Sequence, residues 1–427
     1  MTEAHGRKVF YGWWIVAASF IVVFFGTGIG FYSFGVFVKP LEAEFGWTRE
    51  RISVGVALWA LIYGFSGPVI GNFLQKYGAR AVMTLAALVS GAGYIIFSWL
   101  QSYPQFFFFM AVAGVSVSGI TLIPNQTLIS NWFDRYRGRA MGIMMVGIGL
   151  GGLAMPPLAN AFILEYGWRN AFRLLGLLFF IIVPVVLLVV RTRPSDLGLQ
   201  IDGLGPDARG AEEPAHRNHQ GLAGLTVKRA FRTYSFWLLF VAFVLLIFGE
   251  SGLTVHIIAF LDDEGVSSQA AAFYWGLAVG ISCVGRLFFG FLAERRNPRT
   301  LITITHGLHA VALLIIIVFF LQSGIRSAAV LIPFSVVYGL ALGGSAVLFP
   351  VLIARCFGLL NFSRLLGLLM SGFALGVVGG PLMAGRINDT TGSYKLALII
   401  FVVAFALAAV AVSFIKTDRY RSEFIHP

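Results

Sequence analysis

The sequence predicts an all-α polytopic membrane protein, with twelve transmembrane helices in two pseudo-symmetric six-helix halves. Three observations predict it. Hydrophobic residues make up 58% of the chain and charged residues 12%, where soluble domains average about a quarter charged. So little polar surface cannot cover a water-soluble particle of 427 residues. The apolar residues fall into twelve blocks of roughly 20 to 28 residues, about the length a helix needs to cross a bilayer core. One loop motif occurs twice, about half a chain apart.

In the first half the blocks run over residues 10–37, 52–74, 81–100, 105–130, 139–164 and 171–190. In the second they run over 235–261, 269–293, 301–322, 327–353, 365–386 and 395–415. The first block is too long for the core of a signal peptide and no small-residue cleavage site follows it, so it reads as a retained span. The second and eighth each end in a copy of the repeated motif. The fifth carries Gly147 and Gly151, the eighth Gly276 and Gly280, and the eleventh Gly372, Gly376 and Gly380. That four-residue spacing lets helix backbones approach closely in lipid, and it is expected at contacts between the halves. Between the sixth and seventh blocks lies one long polar stretch, 191–234, holding Pro194, Pro206 and Pro214. It reads as a cytoplasmic linker, and it separates an N-terminal bundle (1–190) from a C-terminal bundle (235–427).

The net charge of +12 does not point to nucleic acid, because the basic residues sit in short loops between apolar blocks. There they act as topology signals. With both termini in the cytoplasm, a large majority of the 31 lysines and arginines fall on the cytoplasmic side, as the positive-inside rule requires. A missed span would exchange the sides of every later loop. Cys283 and Cys356 lie in or beside apolar blocks and indicate no disulfide framework. No metal-ligand cluster, phosphate loop or nucleophile–base constellation is evident, so neither an enzyme nor a cofactor is expected. The linker is too short for a fused signalling domain, which weighs against a membrane-embedded sensor.

The repeated motif reads Gly71-Asn-Phe-Leu-Gln-Lys-Tyr-Gly-Ala-Arg80 after the second block and Gly290-Phe-Leu-Ala-Glu-Arg-Arg-Asn-Pro-Arg299 after the eighth. Gly71 pairs with Gly290, Gln75 with Glu294 and Arg80 with Arg299, on the same side of the membrane, as parallel duplicated halves require. This pattern resembles the Gly-x-x-x-Asp-Arg-x-Gly-x-Arg loop signature of the major facilitator superfamily, with Gln75 where that family usually has Asp. The resemblance implies the major facilitator fold, with Gly71, Arg80, Gly290, Glu294 and Arg299 in structural or gating loops. A narrower likeness follows. Trp132-Phe-Asp-Arg-Tyr-Arg-Gly-Arg-Ala-Met-Gly142 is similar to the signature before the fifth span of monocarboxylate transporters. The runs Tyr32–Leu41, Glu44–Trp47, Gly167–Arg169, Pro194–Gly198 and Asp389–Tyr394 resemble the same family and the bacterial oxalate/formate exchangers. The implied role is secondary transport of a small organic anion, in a bacterial inner membrane with both termini cytoplasmic.

Arg286 is the most informative single residue. It precedes Glu294, at the inner end of its span, by eight residues, which places it about 12 Å into the bilayer. A charge there costs at least about 2.5–3.5 kcal/mol, so it requires a polar cavity or a counter-ion. The repeat-equivalent position is Gly67, so the scaffold itself does not need an arginine. A guanidinium presents a planar fork that matches a carboxylate, and Arg286 is expected to bind the substrate carboxylate. Monocarboxylate transporters, by the resemblance, carry an arginine at this place with an aspartate one turn before it, where this chain has Ser282. Oxalate exchangers carry a lysine in the eleventh span, and this one has none between Leu365 and Gly385. One cation suits a monoanion such as lactate or pyruvate.

Glu250 and His256, in the seventh block, are candidates for a coupled proton, since burial raises a carboxyl pKa and histidine titrates near neutrality. They do not share a helix face. Tyr32, Tyr63, Asn125, Gln126, Tyr338 and Ser371 are further candidates to line a substrate cavity, along with Asn160 and Ser345. The expected activity is proton-coupled monocarboxylate symport by alternating access. An anion exchanger of the oxalate/formate type is the alternative.

Overall fold

The computed structural model describes residues 10–203, 223–322 and 328–417. The central part of the expected linker, 204–222, lies outside them. Among the described residues helices dominate, and a lone antiparallel bridge joins Gly224 to Gly358.

Among the described residues the helices make twelve crossings, numbered here as spans 1 to 12. Span 1, Gly12–Phe45, is not one regular helix. An α-helix, Gly12–Thr27, gives way to a π turn, Gly28–Tyr32, then a 3-10 stretch, Ser33–Phe37, and a final α-helix, Val38–Phe45. The Ser33 hydroxyl donates to the Gly28 carbonyl at 2.8 Å within that widened turn. Span 2 begins at Arg49–Phe65, where the Thr48 side chain caps the Arg51 N–H, and continues from Gly67 to Gly78. Helix Gly67–Phe97 is broken at Gly78 (φ +79°), and helix Arg137–Phe180 at Gly167 (φ +77°). These left-handed conformations suit glycine, which has no Cβ to clash. They turn two long apolar helices into spans 2 and 3 and spans 5 and 6. Span 4 is split into Tyr103–Ser118 and Leu122–Trp132 by a non-helical Thr121. The second half is more regular: span 7 is Tyr234–Asp263, span 8 Ser268–Leu292, span 9 Pro298–Ile315 with a π extension Ile316–Gln322, span 10 Ala328–Phe357, span 11 Phe362–Thr391 and span 12 Lys395–Ser413. Thr233, Ser267 and Asn297 each cap the N-terminus of the helix that follows, satisfying N–H groups that have no partner within the helix.

Spans 1–6 pack as one bundle and spans 7–12 as another, and the two meet where span 5 lies along span 8 and span 2 along span 11. The contact is closest on the side that bears the linker. A Cβ on Gly138 would fall 2.3 Å from the Gly290 carbonyl oxygen, and one on Gly142 2.6 Å from that of Arg286. Gly67 meets Gly367 and Gly71 meets Ser363 in the same way. On this side the apolar core runs continuously through both halves, whereas on the far side the second half has a core of its own. The halves are therefore closed at the linker side and part toward the far side.

The glycine pairs singled out by their spacing do other work. Gly147 and Gly151 press on Phe20 and Phe24 of span 1, Gly372, Gly376 and Gly380 press on span 7, and Gly276 and Gly280 have no neighbour within contact distance. They pack within a half or face open space. Four-residue spacing marks a narrow helix face, but not the neighbour that fills it.

The repeated motif performs one task twice. The Arg80 guanidinium donates to the Leu187 carbonyl at the end of span 6, and Arg299 donates to the Ile415 carbonyl just beyond span 12 at 2.9 Å. Glu294 accepts from Arg139 of the other half at 2.9 Å. Its counterpart Gln75 donates to the Leu360 carbonyl and to Asn361 Oδ1, both at 3.1 Å. Thus each copy fastens its own last span and reaches across to the opposite half. Two other similar stretches also meet: Glu44 holds Trp168 and Arg169 on the far side.

Candidate substrate site between the halves

Arg286 lies on the face of span 8 that meets the other half. Its backbone is held between two glycines, Gly343 of span 10 and Gly142 of span 5, neither of which has room for a Cβ. The side chain therefore extends across the seam rather than toward lipid. Arg286 is 7% exposed. Its Nη1 donates to the Met145 carbonyl of span 5 at 3.0 Å. It rests over Gly149, where a Cβ would stand 2.8 Å from Nη1. Its Nε has no partner, and among the described residues no carboxylate forms an ion pair with it. A buried guanidinium with one carbonyl for company has donors left over, and leaving them unmatched is costly.

Tyr32 ends the π turn of span 1 and lies within electrostatic reach of Arg286, Cys283 and Glu250. It is 42% exposed, as a residue lining an open cavity is. Phe31, Trp59 and Tyr63 continue from it as a chain of ring contacts at 5.0–5.3 Å, and Tyr63 meets Phe373 of span 11 at 5.5 Å. Aromatic walls with a few polar groups are the usual lining of a small-molecule site.

Glu250 and Tyr338 approach the same region from the second half. The Glu250 side chain is 15% exposed, and its Oε1 lies 3.2 Å from His309 Nε2 of span 9. The pair is close enough for charge interaction, although it is not aligned as a hydrogen bond. Tyr338 is fully buried, packs on His309 at 5.1 Å and on Trp275 at 5.6 Å, and its hydroxyl has no partner. Tyr32 of span 1 is thus within electrostatic reach of both Arg286 of span 8 and Glu250 of span 7.

Other expected residues are placed differently. Tyr63 Oη is 3.0 Å from Thr121 Oγ1. Asn125 donates its amide to the Ile120 and Thr121 carbonyls, beside the break in span 4. Its Oδ1 and the Oε1 of Gln126 are buried without partners. Ser371 donates to Leu368 of its own helix. His256 lies in a seam of the second half: its Nε2 donates to the Pro381 carbonyl, 3.0 Å away, and its Nδ1 is 3.2 Å from Tyr394 Oη. Both ring nitrogens are thus occupied. His309 and Gly149 carried no sequence signal of their own. The first is one of two histidines in an apolar block, and the second is one glycine among 50. No cluster of three potential metal ligands occurs among the described residues.

Comparisons with known proteins bear on the fold and the family. The model of the Major Facilitator Superfamily matches residues 20–358. Monocarboxylate transporter 1 of Bos taurus is 27% identical over 411 residues, covering 90% of this chain and 80% of that protein. Monocarboxylate transporter 12 of Rattus norvegicus is 25% identical over 432 residues, covering 96% and 86%. Among solved structures, the human organic anion transporter MFSD10 superposes with a TM-score of 0.68 at 16% identity, covering 94% of this chain and 99% of that one. FucP in its outward conformation superposes with a TM-score of 0.68 at 13% identity, covering 93% and 98%. Twelve spans in two parallel halves, the loop motif in both, and a family match over most of the length together show that the chain belongs to the Major Facilitator Superfamily and is a multi-pass membrane transporter.

Proposed function

We propose that the protein carries small monocarboxylates of the lactate or pyruvate kind together with a proton, by alternating access to a site at Arg286. The observation that carries this reading is a buried guanidinium, free of carboxylate partners among the described residues, directed across the seam between the halves. It has donors to offer a carboxylate, and a single cation balances a single negative charge. The naming of the relatives as monocarboxylate transporters supports the same cargo. Tyr32 and the unpartnered hydroxyl of Tyr338 are the further groups we assign to the cavity, with Tyr63 and Gln126 on its first-half wall. The basic loops favour a cytoplasmic linker, with the bundles divided at 190 and 235, in a bacterial inner membrane. In that orientation the structure is closed inside and open outside.

Labelled L-lactate and pyruvate uptake into proteoliposomes tests the reading. Arg286→Ala abolishes uptake while the purified variant keeps its cooperative thermal melt. Normal uptake by that variant would refute the carboxylate role. One observation favours the second reading, anion exchange: Ser282 stands one turn before Arg286, where the resemblance calls for an aspartate. Vesicles with no internal anion and an imposed pH gradient separate the two. Symport fills such vesicles, and obligate exchange leaves them empty.

A further inference from the structure

His309 is deep in the second half, with its side chain fully buried. Its Nδ1 stands 2.9 Å from the Thr305 carbonyl oxygen. A carbonyl only accepts, so Nδ1 carries a hydrogen. The tautomer is therefore fixed, and Nε2 is the nitrogen that can gain or lose a proton. Nε2 faces Glu250 Oε1 at 3.2 Å. Two lone pairs facing at that distance repel each other. A proton on either atom removes the repulsion, whether as imidazolium and carboxylate or as neutral imidazole and neutral acid. Either form is net neutral and differs from the deprotonated pair by one charge.

The other groups around the pair do not supply that proton's counter-charge. Span 10 offers Tyr338, span 1 Tyr32, span 8 Arg286 and Cys283, which Tyr32 also feels, and span 9 His306, whose ring centre is 6.5 Å from that of His309. Span 12 contributes Phe405, 4.8 Å from the His309 ring. Tyr32 lies within electrostatic reach of both Arg286 and Glu250, and so links that fixed positive charge to the pair.

We propose that Glu250 and His309 form a one-proton dyad that decides whether the Arg286 site attracts an anion. This rests on the reading of Arg286 as the carboxylate site. With the proton bound, Arg286 and the dyad together carry one positive charge, and a monocarboxylate brings the cavity to neutrality. Without it, the Glu250 carboxylate cancels Arg286, the cavity is already neutral, and an entering anion meets an unscreened negative charge in a low dielectric. The proton is taken from water on the open side and returned to water on the other. One N–H or O–H bond forms and later breaks, with no redox partner. Loading is then ordered, proton first, and the loaded and empty carriers have the same net charge.

The test uses full-length protein in proteoliposomes with labelled L-lactate. Glu250→Gln places a neutral amide where the protonated acid would be. Exchange of lactate between internal and external pools then persists without pH dependence, and uphill accumulation driven by a pH gradient is lost. His309→Gln moves the pH midpoint of uptake by about one unit or more, a tenfold change in proton affinity. Gradient-driven accumulation by Glu250→Gln overturns the dyad, as does an unmoved midpoint in His309→Gln. Loss of exchange as well, in a Glu250→Gln protein that still melts cooperatively, also overturns it, because neutrality at that position should suffice for anion binding. Should the variants not fold, difference infrared titration of substrate-free wild-type protein with isotope-labelled histidine decides. Carboxyl and imidazole bands that change in one step support the dyad, and separate or absent steps overturn it. Failure of the underlying carboxylate reading appears elsewhere, as normal uptake in Arg286→Ala.

Discussion

Arg286 and His309 show what a single side chain reveals before its neighbours are known. A guanidinium in an apolar block stays charged, so its presence alone announces a polar cavity or a counter-ion. Replacing it with lysine keeps the charge and removes the fork, since an ammonium cannot reach the Met145 carbonyl and grip both carboxylate oxygens at once. Arg286→Lys should raise the KM for lactate by about tenfold or more, equivalent to about 1.4 kcal/mol, with folding unaffected, as read from initial uptake rates. His309 was not legible because an imidazole is tolerable in a helix seam without any task. Its significance lies in Glu250, 59 residues earlier and on another span. The same blindness affected Asn125 and Ser371. Residue type made them candidates, but local carbonyls that no sequence pattern displays now occupy their amide and hydroxyl.

At the scale of the element, the apolar blocks located every span, because each must satisfy its backbone internally in lipid and only a helix of sufficient length does so. The irregularities were less visible. The breaks at Gly78 and Gly167 lie in glycine-bearing turns, and the interruption at Thr121, between Gly119 and Pro124, and the widened turn at Gly28–Tyr32 fall inside apolar blocks, where such residues also sit in unbroken helix. Gly149 is the element-scale counterpart of Arg286. Its missing side chain leaves the groove in span 5 where the guanidinium and the Cys283 thiol rest, and a Cβ there would stand 2.8 Å from Nη1 and 2.6 Å from Sγ. Gly149→Ala should therefore displace Arg286 and weaken lactate binding severalfold, while the protein inserts and melts normally. Binding measured by thermal shift against added lactate checks it. Unaltered binding would show that the groove has slack.

In the whole molecule, the duplicated motif was legible as a repeat, and its chemistry became clear only with both halves in place. One copy crosses the seam with an ion pair, Glu294 to Arg139, and the other with neutral hydrogen bonds from Gln75. The Glu294 side chain is 11% exposed and that of Arg139 34%, so the pair is only partly screened and is worth about 1 kcal/mol. It should bias the carrier toward the form closed at the linker side. Glu294→Gln should shift the populations about fivefold toward opening on that side, seen as a longer distance between spin labels on the linker-side ends of spans 5 and 8. No change would place the closing force in the glycine contacts alone. High salt should act in the same direction, more weakly.

The π turn in span 1 carries one residue more than a regular coil needs over the same length. Were that surplus to migrate along the helix, the segment it passed would rotate by about 100°. Tyr32, at the end of the turn, would swing from beside Arg286 to a different face. The bulge thus gives the first span a ratchet of one residue, by which a cavity wall can be withdrawn without unravelling the helix that bears it.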